Sequence, residues 1–398
     1  MNRDETEAPR PQMMTAGRSR SQWICSAAAI ALVVLLLASV ARLYHPPYGF
    51  TEMIGFANGG AGELPALQAI PHYRHPPWGS YDGQFYAQLA LEPLLRDPAI
   101  DRALDLPPYR ARRILFSWTA WVLGLGRPQW ILHAYSLQNV LVWLALAAVM
   151  TRWLRPDTPR GLALWIACLF SHGLLASVRS ALLDGPSMLL IALAIAASER
   201  GRLFTSAAIV GVAGLGRETN LLAALALPRS DGRRRWLALG AALAIAALPL
   251  LLWQDYLRSI YRSTSAVGHD QLDRPVLVYV QVLQQTLGRV LGDDASLLMA
   301  FKLGVIVCLT VQTVYLLYRR QYASPWWRVA LAYALLMLTV HKVVWDGYPG
   351  AVTRVTLPLA FGFNVLLSRE PGRRFWPWFI LGNLHLLPAA MLLPFHEG

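Results

Sequence analysis

The sequence predicts an all-α protein whose helices pack as a polytopic bundle across a membrane, and three observations predict it. Hydrophobic residues make up 55% of the 398 positions and charged residues only 15%, a balance outside the range of soluble domains. The apolar residues gather into runs of about 17 to 25 that recur along the chain, the length needed to cross a hydrocarbon core. Arg, Pro or Gly bounds each run, so the charge lies in short clusters between them. No window between the runs is long enough for a soluble domain.

Taken in order, residues 1 to 22 form a polar tail with Arg3, Arg10, Arg18 and Arg20 ahead of an apolar stretch from Ile24 to Val40. Basic residues before a first span place the tail in the cytoplasm. The stretch is longer than a signal-peptide core, and many spans follow, so an uncleaved anchor is expected despite the small residues Ser39-Val40-Ala41. The rest, 23–398, reads as one integral membrane domain. Further apolar runs lie near 129–151, 161–178, 183–198, 203–227, 236–253, 298–318, 326–343, 352–368 and 375–394. Ile114 to Gly126 is apolar but too short to cross, and follows Arg110, Arg112 and Arg113, so it reads as an interfacial or re-entrant helix.

Arginine sets the orientation, since short cytoplasmic loops collect it. All arginine-rich loops fall on one side only if the run 203–227 breaks at Gly214-Leu215-Gly216-Arg217-Glu218-Thr219 into two short halves. A charged pair flanked by glycines is where a membrane helix most readily breaks. This gives about eleven crossings, with 44–110 and 254–297 as long extracytoplasmic loops. The first carries seven carboxylates against three arginines up to Arg102, the acidic side of a protein with net charge +13.

That net charge does not point to nucleic acid, because the basic residues are scattered between spans and only Lys302 and Lys342 are lysines. Cys25, Cys168 and Cys308 lie inside apolar runs, so neither a disulfide framework nor a thiolate zinc site is legible. Gly59-Gly60-Ala61-Gly62 has no Lys-Ser/Thr after it and reads as a turn rather than a phosphate cradle.

The chemistry concentrates in the first outer loop. Asp82 stands between Tyr81 and Gly83, just before a helical stretch. A carboxylate there either caps the helix or, at the membrane boundary, takes a proton from an acceptor hydroxyl. Tyr81, Gln84, Phe85 and Tyr86 offer an aromatic and amide surface suited to sugar rings. Arg217 and Glu218 inside an apolar run cost several kcal/mol unless they face a cavity or pair, so a cavity-lining role is expected, against a salt bridge that fixes the break. Arg110 and Arg113 read either as phosphate ligands or as headgroup anchors, together with Arg112. His341, Lys342, Asp346 and Arg354 cluster near one outer loop and either grip the same phosphate or are ordinary loop charges; Arg179 and Asp184 on another invite the same two readings, with structural pairing ahead. His72 and His75 precede Pro76-Pro77, which favours packing or hydrogen bonding over metal ligation. Trp23, Trp326, Trp327, Trp376 and Trp378 stand near span ends, as an interfacial belt does.

The stretch Tyr81-Asp-Gly-Gln-Phe-Tyr86 with Leu89-Ala90, then Arg110-x-x-Arg113-Ile-Leu, Arg217-Glu-Thr219, and Arg354-x-x-x-Pro358 with Phe363-Asn364 resembles bacterial polytopic membrane proteins of cell-surface glycopolymer formation. These are similar to the C-type (GT-C) membrane glycosyltransferases. The resemblance implies a bacterial inner-membrane enzyme that draws on a polyprenyl-phosphate sugar, needs no cofactor, and carries an essential acid in its first outer loop, here Asp82. It implies as partners membrane lipid, a lipid-linked sugar donor and a glycan, lipid or protein acceptor, with no nucleic acid. Tyr81, Gln84, Tyr86, Arg110, Arg113, Arg217, Glu218 and Arg354 would then contact substrate or phosphate. The chain departs from the group at Glu92-Pro93, where Asp-Pro is usual, and at Phe116-Ser117 in place of Tyr-Pro. The rival expectation is a non-catalytic transporter or scaffold for lipid-linked glycans, which would share the broken helix and its buried charges.

Overall fold

The computed structural model describes residues 19–58, 62–228, 235–261, 274–292, 296–346 and 351–392. Most of the N-terminal tail, residues 59–61 of the glycine loop, the arginine loop at 229–234 and parts of the second long loop lie outside them. Among the described residues the fold is all α, with two isolated β-bridges and no strand.

Among the described residues four helices are long and apolar enough to span a membrane: α1 (Arg20–Ala41), α5 (Pro128–Met150), α10 (Arg235–Ile260) and α12 (Leu297–Arg319). Their starts follow from the sequence. Ser19 and Gln22 form a reciprocal capping box ahead of α1, Pro128 opens α5, and the Ser296 hydroxyl accepts from the Met299 amide at 3.2 Å to cap α12. α5 has 56% of its apolar window buried against 28% for α1 and 22% for α10, so α5 is central while the other two present most of their surface outward.

Between these lie shorter helices: α2 (Gly83–Leu91), α3 (Pro107–Ala111) and α4 (Leu115–Leu123) in and after the first loop; α6 (Pro159–Leu169), α7 (His172–Arg179), α8 (Asp184–Glu199) and α9 (Leu203–Gly216) after α5; then α11 (Leu277–Leu291), α13 (Pro325–Met337) and α14 (Leu357–Leu367). The apolar run 161–178 divides into α6 and α7, bent by 49° at their junction, and counts as a fifth span if the pair is taken together. Length and composition therefore support four or five crossings, and the expected eleven rest on the hydropathy pattern alone. α4 has nine residues, in keeping with a helix that does not cross.

The break at Arg217 is present. α9 ends at Gly216, Arg217 is extended at φ −165° and ψ 132°, and a 3-10 helix continues from Glu218 to Ala226. This 3-10 helix packs back along α9.

The tryptophans divide. Trp23 and Trp376 are exposed, as belt residues are, but Trp326 and Trp327 are buried in the core, contrary to expectation. Trp326 meets Trp153 edge to face at 5.0 Å, and the Trp327 indole donates to the Leu316 carbonyl at 2.8 Å. A position near a span end resembles a belt in sequence, while the neighbouring helices cover these two rings.

The first loop is tied together internally and fastened to the bundle. The Gln88 amide accepts from the Leu64 amide at 2.9 Å and donates to the Ala103 carbonyl at 3.1 Å. The end of α10 reaches over it: the Trp253 indole donates to the Ala111 carbonyl at 2.8 Å and the Tyr256 hydroxyl to the Leu94 carbonyl at 2.6 Å.

Candidate active site

α2 presents Asp82 at its start. Gly83 makes this possible, because a Cβ there would lie 2.6 Å from the Ile54 carbonyl oxygen and 2.7 Å from that of Ser180. The backbone of the first loop and the turn after α7 thus close on the helix start from two sides. The Asp82 side chain makes no capping hydrogen bond. It accepts instead from Arg110 Nη2 at 3.0 Å, so the capping reading is not the one the fold adopts.

α2 is held by α4. The Ser117 hydroxyl donates to the Tyr86 carbonyl at 2.8 Å, which gives the Phe116-Ser117 departure a physical role at the joint between these helices. The Tyr86 hydroxyl accepts from Arg113 Nη1 at 3.4 Å and from Arg110 Nη1 at 3.5 Å. Arg110 is gripped further by Asp105, which accepts from Nε at 2.8 Å and Nη2 at 2.7 Å, and lies 4.6 Å over the Phe85 ring. Arg113 donates to Glu218 at 3.2 Å and lies 4.3 Å over Tyr109.

These groups open into a cavity of about 600 Å³. Its wall carries five arginines, Arg110, Arg112, Arg113, Arg217 and Arg354, against three carboxylates, Asp82, Asp184 and Glu218. An excess of guanidinium in a confined space suits an anionic ligand. Val340, Val343, Val344 and Leu336 give it an apolar flank.

Of the residues singled out from sequence, Asp82, Tyr86, Arg110, Arg113, Arg217, Glu218 and Arg354 meet at this cavity although they come from four separate segments. Tyr81 stands beside it, its ring 5.5 Å from the Arg354 guanidinium. Gln84 is buried within α2 and is not part of the wall. Arg217 and Glu218 do not pair with each other: Arg217 donates to Asp184 and Glu218 accepts from Arg113. Both are at once interhelical ion pairs and cavity lining. Asp184 does not pair with Arg179, whose guanidinium donates to the Leu392 carbonyl at 3.3 Å; it joins Arg217 and Arg354 instead. Tyr109 on the cavity wall, and Asp105 as the partner of Arg110 behind it, were not singled out as site residues, since nothing near them in the sequence marks a loop carboxylate or a tyrosine for that role.

Burial raises the Asp82 pKa, but the charges of Arg110 and Arg354, the hydrogen bond from Arg110 and the charge of Arg113 together outweigh it and hold the carboxyl below its ordinary value. Burial works against the charge of Arg110 as well, and the Asp105 hydrogen bond with the charges of Tyr86 and Asp82 keeps it protonated. Both groups are therefore ionised at neutral pH.

The remaining candidates stand apart. His72 donates through Nδ1 to the Ile70 carbonyl at 2.7 Å and His75 through Nε2 to the Glu52 carbonyl at 2.9 Å, so the two rings address different backbone atoms. Burial lowers the His72 pKa. Among the described residues no group of three or more His, Cys, Asp or Glu is placed to hold a metal ion. His341 accepts from the Val343 amide at 3.3 Å at the start of a short helix, Lys342–Trp345, and neither it, Lys342 nor Asp346 lines the cavity. Asn364 pairs with Asn383 through two hydrogen bonds of 3.0 Å in the core, and Phe363 is fully buried.

The sequence profile of glycosyltransferase family 87 matches residues 114–341, more than half of the chain. Its span takes in Asp184, Arg217 and Glu218 on one wall of the cavity, and leaves Asp82, Arg110, Arg113 and Arg354 outside. No curated protein and no solved structure matches.

Proposed function

Because this chain belongs to glycosyltransferase family 87, a family of membrane glycosyltransferases, we propose that it moves a sugar from a polyprenyl-phosphate donor to an acceptor hydroxyl. Family membership replaces the transporter and scaffold expectations with an enzyme. The observation that carries the finer reading is that Asp82, paired with Arg110, opens into a cavity rich in arginine.

In the proposed reaction the acceptor hydroxyl attacks the anomeric carbon on the face opposite the phosphate. The hydroxyl proton passes to the Asp82 carboxylate as the new C–O bond forms, and the bond from the anomeric carbon to the phosphate oxygen breaks. The electron pair of that bond leaves with polyprenyl phosphate, and the configuration inverts. Charge grows on the departing phosphate, and arginines on the cavity wall stabilise it. With that charge met by guanidinium groups, the reaction is expected to proceed in the presence of a chelator. Arg110, already committed to Asp105 and Asp82, orients the base, and Tyr81 and Tyr86 flank the sugar.

In this reading Asp82 and the first loop lie outside the bacterial cytoplasmic membrane with the N-terminus inside, a reading supported by the distribution of arginine between the apolar runs. The donor's isoprenoid tail would lie along the bilayer and its phosphate in the cavity.

The test is transfer from a synthetic polyprenyl-phosphate sugar by protein in lipid nanodiscs containing EDTA. Asp82→Asn is expected to lower kcat by about 10²- to 10⁴-fold, the usual contribution of a general base, with donor KM changed far less. Full activity in the aspartamide variant would remove Asp82 from the mechanism.

A further inference from the structure

The charged groups of the cavity are not equally committed. Arg110 donates through Nε, Nη1 and Nη2 to Asp105, Tyr86 and Asp82, and Arg113 donates to Glu218 and Tyr86. Arg217 and Arg354, which also line the cavity, converge on a single carboxylate, Asp184. Its Oδ1 accepts from Arg217 Nη1 and its Oδ2 accepts from Arg354 Nη1 at 3.3 Å. The Asp184 side chain is 5% exposed, and the Nε of Arg217 is buried with no hydrogen-bond partner.

Two guanidinium groups facing one cavity repel each other, and each has five N–H donors in a fixed fork. A buried carboxylate between them offsets that repulsion and sets their separation, taking one nitrogen of each. The arginines come from different places: Arg217 from the helix break, Arg354 from the short helix Val352–Val355. That helix is pressed against α7, where a Cβ on Gly173 would lie 2.1 Å from the Thr353 carbonyl oxygen. Asp184, first residue of α8, is the common point that both can reach.

We propose that Asp184 is a positioning residue that holds Arg217 and Arg354 as the two arms of a clamp for the donor's phosphate. The inference rests on the polyprenyl-phosphate reading above and adds to it which arginines take the leaving group. It also assigns Asp184 to the phosphate and not to proton transfer, since its carboxylate is enclosed by the two arginines.

The experiment measures binding of decaprenyl phosphate to the full chain in nanodiscs, together with donor KM and kcat. Asp184→Asn keeps the shape of the side chain and removes its charge. By the scale seen when a group supporting a ligating side chain is lost, its Kd and donor KM should each rise about tenfold or more. Its kcat should fall by less, and Asp184→Glu should recover part of the affinity. A defect that merely loosened the fold would lower the active fraction without this division between KM and kcat.

Unchanged or tighter binding by Asp184→Asn would overturn the proposal, because Asp184 would then be only an anion competing with phosphate for the same arginines. If the aspartamide variant does not fold, Asp184→Glu decides: weaker binding supports the proposal and wild-type binding overturns it. Failure of the wild-type protein to bind decaprenyl phosphate overturns this inference and the donor reading together, whereas equal binding by wild type and variants overturns this inference alone.

Discussion

At the scale of single residues, the environment of Asp82 carries a prediction with a definite sign. Arg110 is the main reason its carboxyl lies below the ordinary value, since burial alone would raise it. The stabilisation from this pair is present above the unfolded carboxylate pKa and is lost as pH falls through the depressed native one. Arg110→Gln removes the largest opposing charge and leaves burial, so the acid limb of the kcat/KM profile is expected to move to higher pH. An unmoved limb would mean that Asp82 does not govern it. The place of Asp82 on the cavity was legible because the hexapeptide around it is distinctive and lies in the long loop after the first apolar run. Its partners were less so: Asp184 has Arg179 five positions before it in the sequence, yet its partners are Arg217 and Arg354, far along the chain. Between Arg179 and Asp184 the backbone passes through a left-handed residue, Ala181 at φ 47°, and no pairing rule based on sequence distance anticipates where the carboxylate then faces.

At the scale of elements, α2 depends on one glycine. Gly83→Ala would push a methyl group against two carbonyl oxygens that belong to backbone and cannot rotate away. The expected result is a loss of about 1–3 kcal/mol of stability, seen as a lower melting temperature. Transfer activity should drop by more than the stability change accounts for, because Asp82 moves with the helix start. A variant with wild-type melting and activity would show that the two approaches are looser than the structure has them. The break after Gly216 was legible, since glycines flank a charged pair inside an apolar run. The bend between α6 and α7 was not. Phe170 and Ser171 sit in an otherwise apolar stretch, and hydropathy registers only how apolar a run is, not whether its axis stays straight.

At the scale of the whole molecule, the same limit explains the count of crossings. Runs such as 326–343, 352–368 and 375–394 resolve into helices of 4 to 13 residues joined by turns. A window of apolar residues cannot distinguish a span from two short helices packed inside a protein. Orientation can be read in intact cells with a membrane-impermeant maleimide. Cys25, Cys168 and Cys308 are all buried and should stay silent. Trp78→Cys, at a position 86% exposed in the first loop, should label from outside. Arg200→Cys, exposed between α8 and α9, should label only after permeabilisation. Labelling of both in intact cells would contradict the arrangement.

α10 runs for 26 residues, about 39 Å at 1.5 Å per residue, against a hydrocarbon core of about 30 Å. Its last turns are the ones that carry Trp253 and Tyr256. The first loop is in this sense a canopy guyed to a mast, one stay tied at Ala111 between Arg110 and Arg113 and the other at Leu94. A change in the lean of the mast would be passed through an indole and a phenol to the segment that carries Arg110 and Arg113.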